Sequence, residues 1–305
     1  MTSHPPDRPA AGIGYIVVAM ALFSGMDAVA KWLVDDFSIF QILALRGIFS
    51  IGLLLPFLVR SYGVAGIMRT QNLKGQILRS LFGVGAMFGF FSALREMQLA
   101  DATAIGFSGS LFMAALAVPL LRERVGPRRW MAILFGFGGV LIIVQPGTSS
   151  FNAASLLVVL SALLYALMMI STRWLSRTET NASMVFYHAL VSTLIGLVAL
   201  PFLWVSPSPT EWGLFATMGV LGTLAHLAIA QAFRLAQVAV VGPFEYSTLL
   251  WATIIGFVVW HEVPGANVWY GSLMLVVAGV YILYRETKLS SQTRRAIRDA
   301  ATITK

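Results

Sequence analysis

Apolar runs close to twenty residues long recur from Ile13 to Leu283, each closed by a short polar stretch. A hydrocarbon core about 30 Å thick is crossed by roughly 20 apolar residues in a helix. The pattern therefore predicts ten transmembrane helices, over 13–34, 38–59, 77–95, 101–121, 130–146, 154–173, 183–204, 213–233, 239–260 and 267–284. No polar segment between them is long enough to fold as a soluble domain, so the chain reads as one all-α membrane domain. Trp32, Trp130, Trp174, Trp204, Trp212, Trp260 and Trp269 fall near predicted helix ends, where amphipathic rings favour the headgroup layer, and Trp251 alone falls mid-span.

Composition and charge sharpen this picture. Hydrophobic residues make up 58% of the chain and charged ones 11%, under half the ~25% usual in soluble domains. If the N-terminus is cytoplasmic, the segments on that side collect all 21 lysines and arginines except Arg95 opposite and Lys31 and Arg46 within helices. The positive-inside rule then puts both termini in the cytoplasm, as expected of a multi-pass protein of a cell inner membrane. The net charge of +8 is explained by basic loops and the segment Arg285 to Lys305 facing anionic lipid, so nucleic acid is not an expected partner. The absence of cysteine excludes disulfides, thiolate metal sites and cysteine nucleophiles. Residues 1–30 also carry a small-residue pattern, Ala28-Val29-Ala30, that a secretory signal would use. Cleavage there would remove a helix with a counterpart later in the chain, so the uncut reading is expected.

The chain matches itself locally. At an offset of 142, Trp32-Leu33 meets Trp174-Leu175 and Arg46 meets His188. At an offset of 139, Gln98 meets Gln237, Ala100 meets Ala239, Glu123 meets Glu262 and Trp130 meets Trp269. The expected organisation is a five-helix repeat over residues 1–147, a second over 148–286, and a basic cytoplasmic tail over 287–305. Five is odd, so the second copy enters the membrane from the opposite side and the repeats are inverted. Inverted halves suit alternating access, because inward- and outward-open packings have nearly equal energy around one central site.

The sequence resembles the drug/metabolite transporter superfamily, EamA type, over nearly its whole length. The resemblance is carried by Leu120-Leu121-Arg122-Glu123-Arg124-Val125 and Val259-Trp260-His261-Glu262-Val263-Pro264, each closing the fourth helix of its unit. A glycine-containing fifth helix follows each, with Gly136, Gly138 and Gly139 in the first and Gly271 and Gly279 in the second. Asp27-Ala28-Val29-Ala30-Lys31-Trp32, with Arg46 in the next helix, is similar to the branch of bacterial riboflavin and S-adenosylmethionine importers. The resemblance implies a secondary transporter of a small metabolite, with amino-acid or drug export by the same fold as the alternative.

Ionisable side chains inside a membrane are costly and invite a functional reading. Arg46 lies near the middle of the second helix, where its planar fork suits a carboxylate, a phosphate or a ring carbonyl. The competing reading pairs it with Asp27. Asp27 and Lys31 are spaced i, i+4, either a self-neutralising pair with Lys31 reaching outward or a gate or ion-coupling element. His188, His226 and Glu245 fall at similar depth and suggest a proton relay or substrate contacts; alone, each histidine is as readily a hydrogen-bonded core residue. They lack metalloprotease spacing, and no metal or cofactor is expected. Tyr165 is the most central of a polar stripe with Ser161 and Thr172, and Glu245 shares a helical stripe with Thr248 and Ala252. Gly85, Gly89, Gly106 and Gly109 are read as packing positions, and Glu123 and Glu262 as caps or loop contacts.

The rival class is a membrane-embedded enzyme using His188, His226 and Glu245, against which stand the missing nucleophile, P-loop and zincin motifs. A scramblase or sensor is a third class. With no nucleotide-binding motif, energy is expected from a coupling proton or ion, from exchange, or from the substrate gradient. The expected partners are a small-molecule metabolite and membrane lipid.

Overall fold

The computed structural model describes residues 8–121, 126–148, 151–236 and 238–303, and among these only helices occur. The first unit comprises α1 (Pro9–Leu33), α2 (Ile39–Met68), α3 (Leu73–Ala93), a span broken into α4 (Leu99–Gly106) and α5 (Ser108–Leu121), and α6 (Pro127–Val144). The second comprises α7 (Ala154–Leu175), α8 (Asn181–Leu203), α9 (Pro209–Leu235), a span broken into α10 (Val238–Val241), a 3-10 turn (Gly242–Tyr246) and α11 (Ser247–Trp260), and α12 (Ala266–Ile303). Among the described residues, nine spans are long and apolar enough to cross a membrane, and α2 contributes the apolar stretch Ile39–Leu53. Side chains such as Phe202, 87% exposed, need lipid rather than water around them.

Local chemistry fixes the boundaries. Proline stands at the start of α1, α6 and α9, where its missing N–H leaves no bond unmade. The Asn72 side chain accepts from Gly75 N–H at 2.9 Å and starts α3 earlier than the apolar pattern suggests. Arg79, counted from sequence as a loop charge, therefore lies well inside α3 and is buried. Ser208 and Glu211 form a reciprocal capping box on α9. Gly63, at φ 69°, turns the course of α2 before Met68. The last helix runs through the basic segment expected to be a tail. Glu123, with Arg122 and Arg124, and Gln237 lie outside the described residues.

The packing repeats itself when the halves are exchanged. α1 lies on α9 as α7 lies on α3; α2 meets α9 as α8 meets α3; α1 meets α11 as α7 meets α4 and α5. α2 pairs with α8 and α6 with α12, each a helix against its own counterpart, and the two broken spans meet through α4 and α11. That arrangement is a pseudo-two-fold axis, and with five spans per unit it relates units of opposite direction. Close approaches on the axis rest on small residues: a Cβ added at Gly139 would sit 2.6 Å from Gly271 O, and one at Gly196 2.5 Å from Phe40 O.

The repeat extends to the helix breaks. Phe107 follows Leu99 by eight residues and Tyr246 follows Val238 by eight. Pro243, with no N–H to give, accounts for the second break. At the first, Ser110 N–H turns back to Phe107 O at 3.2 Å. The two broken spans meet at these points, with the Phe107 and Tyr246 rings 4.8 Å apart.

Candidate functional site

Arg46 and His188 each lie seven residues past the first residue of their helices, Ile39 and Asn181, and the axis brings them into one electrostatic neighbourhood. Arg46 Nη1 lies 3.2 Å from the sulfur of Met87, a weak acceptor, and Nε is buried with no hydrogen-bond partner. Asp27 acts on Arg46 electrostatically, but the two do not form an ion pair within 4.0 Å. Gly222 gives the guanidinium room, since a Cβ there would come to 3.4 Å from Nη2. Arg46 thus keeps much of its donor fork unused.

His188 sits over Gly83, where an added Cβ would come within 2.5 Å of its Cε1, and its Nδ1 is buried without a partner. His226 Nδ1 lies 2.7 Å from Gly222 O and its ring meets Phe23 edge-on at 5.0 Å. Arg79 approaches His188 from α3, donating through Nε to Thr172 Oγ1 at 2.6 Å and through Nη1 to Met184 O at 3.0 Å. Two guanidiniums and two imidazoles therefore surround this part of the interior, with Asp27 as the nearby carboxylate. Arg79 was not identified as a site residue from sequence, because an arginine near a helix end reads as a loop charge.

Tyr165 and Glu245 belong to a second neighbourhood. Tyr165 is 44% exposed. It packs beside Gly109, and Glu245 acts electrostatically on both Tyr165 and Tyr246. The relay expected from His188, His226 and Glu245 is not assembled, since the histidines gather around Arg46 and Glu245 stands with the tyrosines. Glu245 lies in the 3-10 turn, so the α-helical stripe expected through Thr248 and Ala252 does not apply to it. Ser161 and Thr172 serve packing, donating to Ala86 O at 2.5 Å and accepting from Arg79. Gly85, Gly89 and Gly109 lie at close helix contacts, whereas Gly106 sits at a break with only Phe90 near. No group of histidines and acids able to hold a metal occurs among the described residues.

Lys31 neither pairs with Asp27 nor reaches outward. It is buried, and it bonds to Glu262 and to Met97 O at 2.8 Å rather than to Asp27. Glu262 Oε2 also accepts from Leu99 N–H at 3.0 Å, the first residue of α4. Trp260 lies under the ammonium at 5.2 Å. One cluster thus ties α1 and the start of α4 to the loop after α11. Asp101 is a near electrostatic neighbour with one buried, unpartnered oxygen. A cleft of about 350 Å³ at an end of the bundle is lined by Trp32, Asp36, Phe37, Ser208 and Glu211.

A different anchor closes the turn between α7 and α8. Glu179 Oε1 accepts from Thr70 Oγ1 at 3.0 Å and from the N–H groups of Gln71 and Asn72 at 2.8 and 2.9 Å. Burial pushes its carboxyl up, but these bonds and one from Gln76 outweigh burial and hold it below the ordinary carboxylate range.

Comparison with known proteins agrees with this architecture. A family model described as the EamA-like transporter family matches the chain twice, over residues 10–145 and 152–285. The S-adenosylmethionine uptake transporter of Rickettsia bellii (strain RML369-C) is 29% identical over 281 residues, covering 92% of this chain and 96% of that protein. The riboflavin transporter of Vibrio cholerae serotype O1 is 30% identical over 291 residues, covering 94% and 97%. A pseudopaline exporter of Pseudomonas aeruginosa is 28% identical over 274 residues, covering 88% and 94%. A crystal structure 18% identical in sequence superposes with a TM-score of 0.62, over 90% of this chain and 98% of that one, a likeness of fold.

Proposed function

The chain belongs to the EamA-like transporter family, and we propose that it is a secondary transporter carrying a small heteroaromatic or nucleoside-like metabolite, such as S-adenosylmethionine or riboflavin, across a cell inner membrane. The observation that carries the reading is Arg46, a cation near the axis between inverted repeats whose donors are met only by the Met87 sulfur and a carboxylate beyond ion-pair distance. A substrate carboxylate or ring carbonyl would supply the missing acceptor. His188 adds a ring nitrogen without a partner, and His226, donating through Nδ1 to Gly222 O, presents its other ring nitrogen as an acceptor; Tyr165 and Glu245 form a second polar neighbourhood. Relatives named for S-adenosylmethionine and riboflavin transport support the substrate class.

Alternating access follows from the inverted repeat, with Lys31 and Glu262 locking one end and Asp27 competing with the substrate for Arg46. Both termini face the cytoplasm in this reading, because the basic loops then lie inside. The repeats are bounded at 1–147 and 148–286, followed by the basic segment 287–305. A proton, another ion or the substrate's own gradient provides the energy. The test is uptake by cells expressing Arg46→Gln. Loss of uptake from a variant that inserts and keeps its thermal stability supports binding by Arg46, and normal uptake removes Arg46 from the site.

A further inference from the structure

The electropositive surroundings of Arg46 account for one end of a substrate only. The interior has another chemically distinct region, at the two helix breaks. Phe107 and Tyr246 occupy equivalent positions in the two repeats, their rings 4.8 Å apart and tilted by 43°. The Tyr246 hydroxyl rests against Gly279, where a side chain would displace it. Tyr165 adds a third aromatic ring, 44% exposed and packed against Gly109, two residues beyond the first break. Glu245 precedes Tyr246 in the 3-10 turn, acts electrostatically on Tyr165 and Tyr246, and forms no ion pair among the described residues. Each break also holds a buried serine hydroxyl without a partner, Ser108, fully buried, and Ser247.

Aromatic faces with an unpaired carboxylate beside them attract a cation, and more strongly where water is displaced. Neutral or anionic groups gain nothing from that carboxylate. The cleft at the end of the bundle has matching chemistry, since Asp36 and Glu211 line it and no lysine or arginine does.

We propose that the paired helix breaks form a subsite for an organic cation of the sulfonium type, seated on Phe107, Tyr165 and Tyr246 with Glu245 as its counter-charge and the Ser108 and Ser247 hydroxyls as flanking donors. This rests on the transporter reading and deepens it. The substrate is then dipolar, with its electron-rich or anionic part at Arg46 and its cationic part at Glu245. A cation at the breaks also bridges the two repeats, because Phe107 comes from the first and Tyr165 and Tyr246 from the second.

The experiment is equilibrium binding to the purified, detergent-solubilised full chain of two probes that differ only in the charged centre: S-adenosylmethionine, a sulfonium, and S-adenosylhomocysteine, its neutral thioether. The wild type should prefer the sulfonium by about tenfold, the size expected of one desolvated cation–aromatic contact with a counter-charge. Glu245→Gln should bring the two affinities together while leaving that for the thioether unchanged, and Phe107→Leu should reduce the preference without removing it. Equal affinities in the wild type, no binding of either probe, or a preference that survives Glu245→Gln would each overturn the subsite. Uptake of riboflavin by a chain that binds neither probe would leave the transport reading standing while removing the cation subsite.

Discussion

Replacing Glu262 by glutamine isolates the charge in the cluster that joins the two repeats. The glutamine oxygen can still accept from Leu99 N–H, so the start of α4 keeps its cap while Lys31 loses its counter-ion. The Lys31 and Glu262 side chains are 10% and 16% exposed, too enclosed for water to make good the loss. Removing one partner of such a buried pair costs about 3–5 kcal/mol. The lower end applies because Met97 O still accepts from the ammonium. At about 2 °C per kcal/mol for a chain of this size, the midpoint of thermal unfolding in detergent should fall by roughly 6 °C. Lys31→Met should cost a similar amount, since it leaves the carboxylate unpaired. The double variant buries no charge at this point and should recover most of the loss. Midpoints within a degree of wild type for both single variants, or a double variant as unstable as the two losses added together, would refute the reasoning.

Other consequences follow from the same geometry. Glu179 has a folded-state pKa below its unfolded one, so its stabilising contribution is full above the unfolded value of about 4.3 and is lost as pH falls through the depressed folded value; Glu179→Gln should be less stable than wild type at pH 7, with a gap that narrows on acidification below about pH 4.3 in melts run across that range. Gly271→Leu should prevent α6 and α12 from meeting and sharply reduce folded yield on size-exclusion chromatography, because a Cβ there already comes within 2.5 Å of Gly139 O. In this cysteine-free chain, a cysteine placed at Asp36 should react with an impermeant reagent in intact cells and one placed at Arg69 should not; the opposite pattern would reverse the proposed topology.

The spans, the repeat and the equivalence of Arg46 with His188 were legible in the sequence because each is a matter of spacing along the chain. What escaped depended on contacts between distant segments. Lys31 reads as the partner of Asp27, its i−4 neighbour, yet its carboxylate comes from Glu262, 231 residues away. Arg79 reads as a loop charge because the predicted span opens only two residues before it, at 77, whereas the Asn72 cap starts the helix at Leu73 and α7 and α8 supply its acceptors. The proline after Gly242 did signal a break in the ninth span, and it would have detached Glu245 from the helical stripe drawn through it. Nothing in the apolar run around Phe107 gave a comparable sign. Tyr246 emerged only when the two breaks were seen to meet.

The central claim, that this chain moves an unaltered metabolite through a site containing Arg46, is tested most directly in proteoliposomes holding the purified protein. Radiolabelled S-adenosylmethionine and riboflavin are offered outside, and the label inside is recovered and identified chemically. The account predicts that one of them accumulates unchanged above protein-free vesicles and that Arg46→Gln vesicles fail to accumulate it. Label that enters chemically altered, or no uptake of either compound above protein-free vesicles, would contradict it.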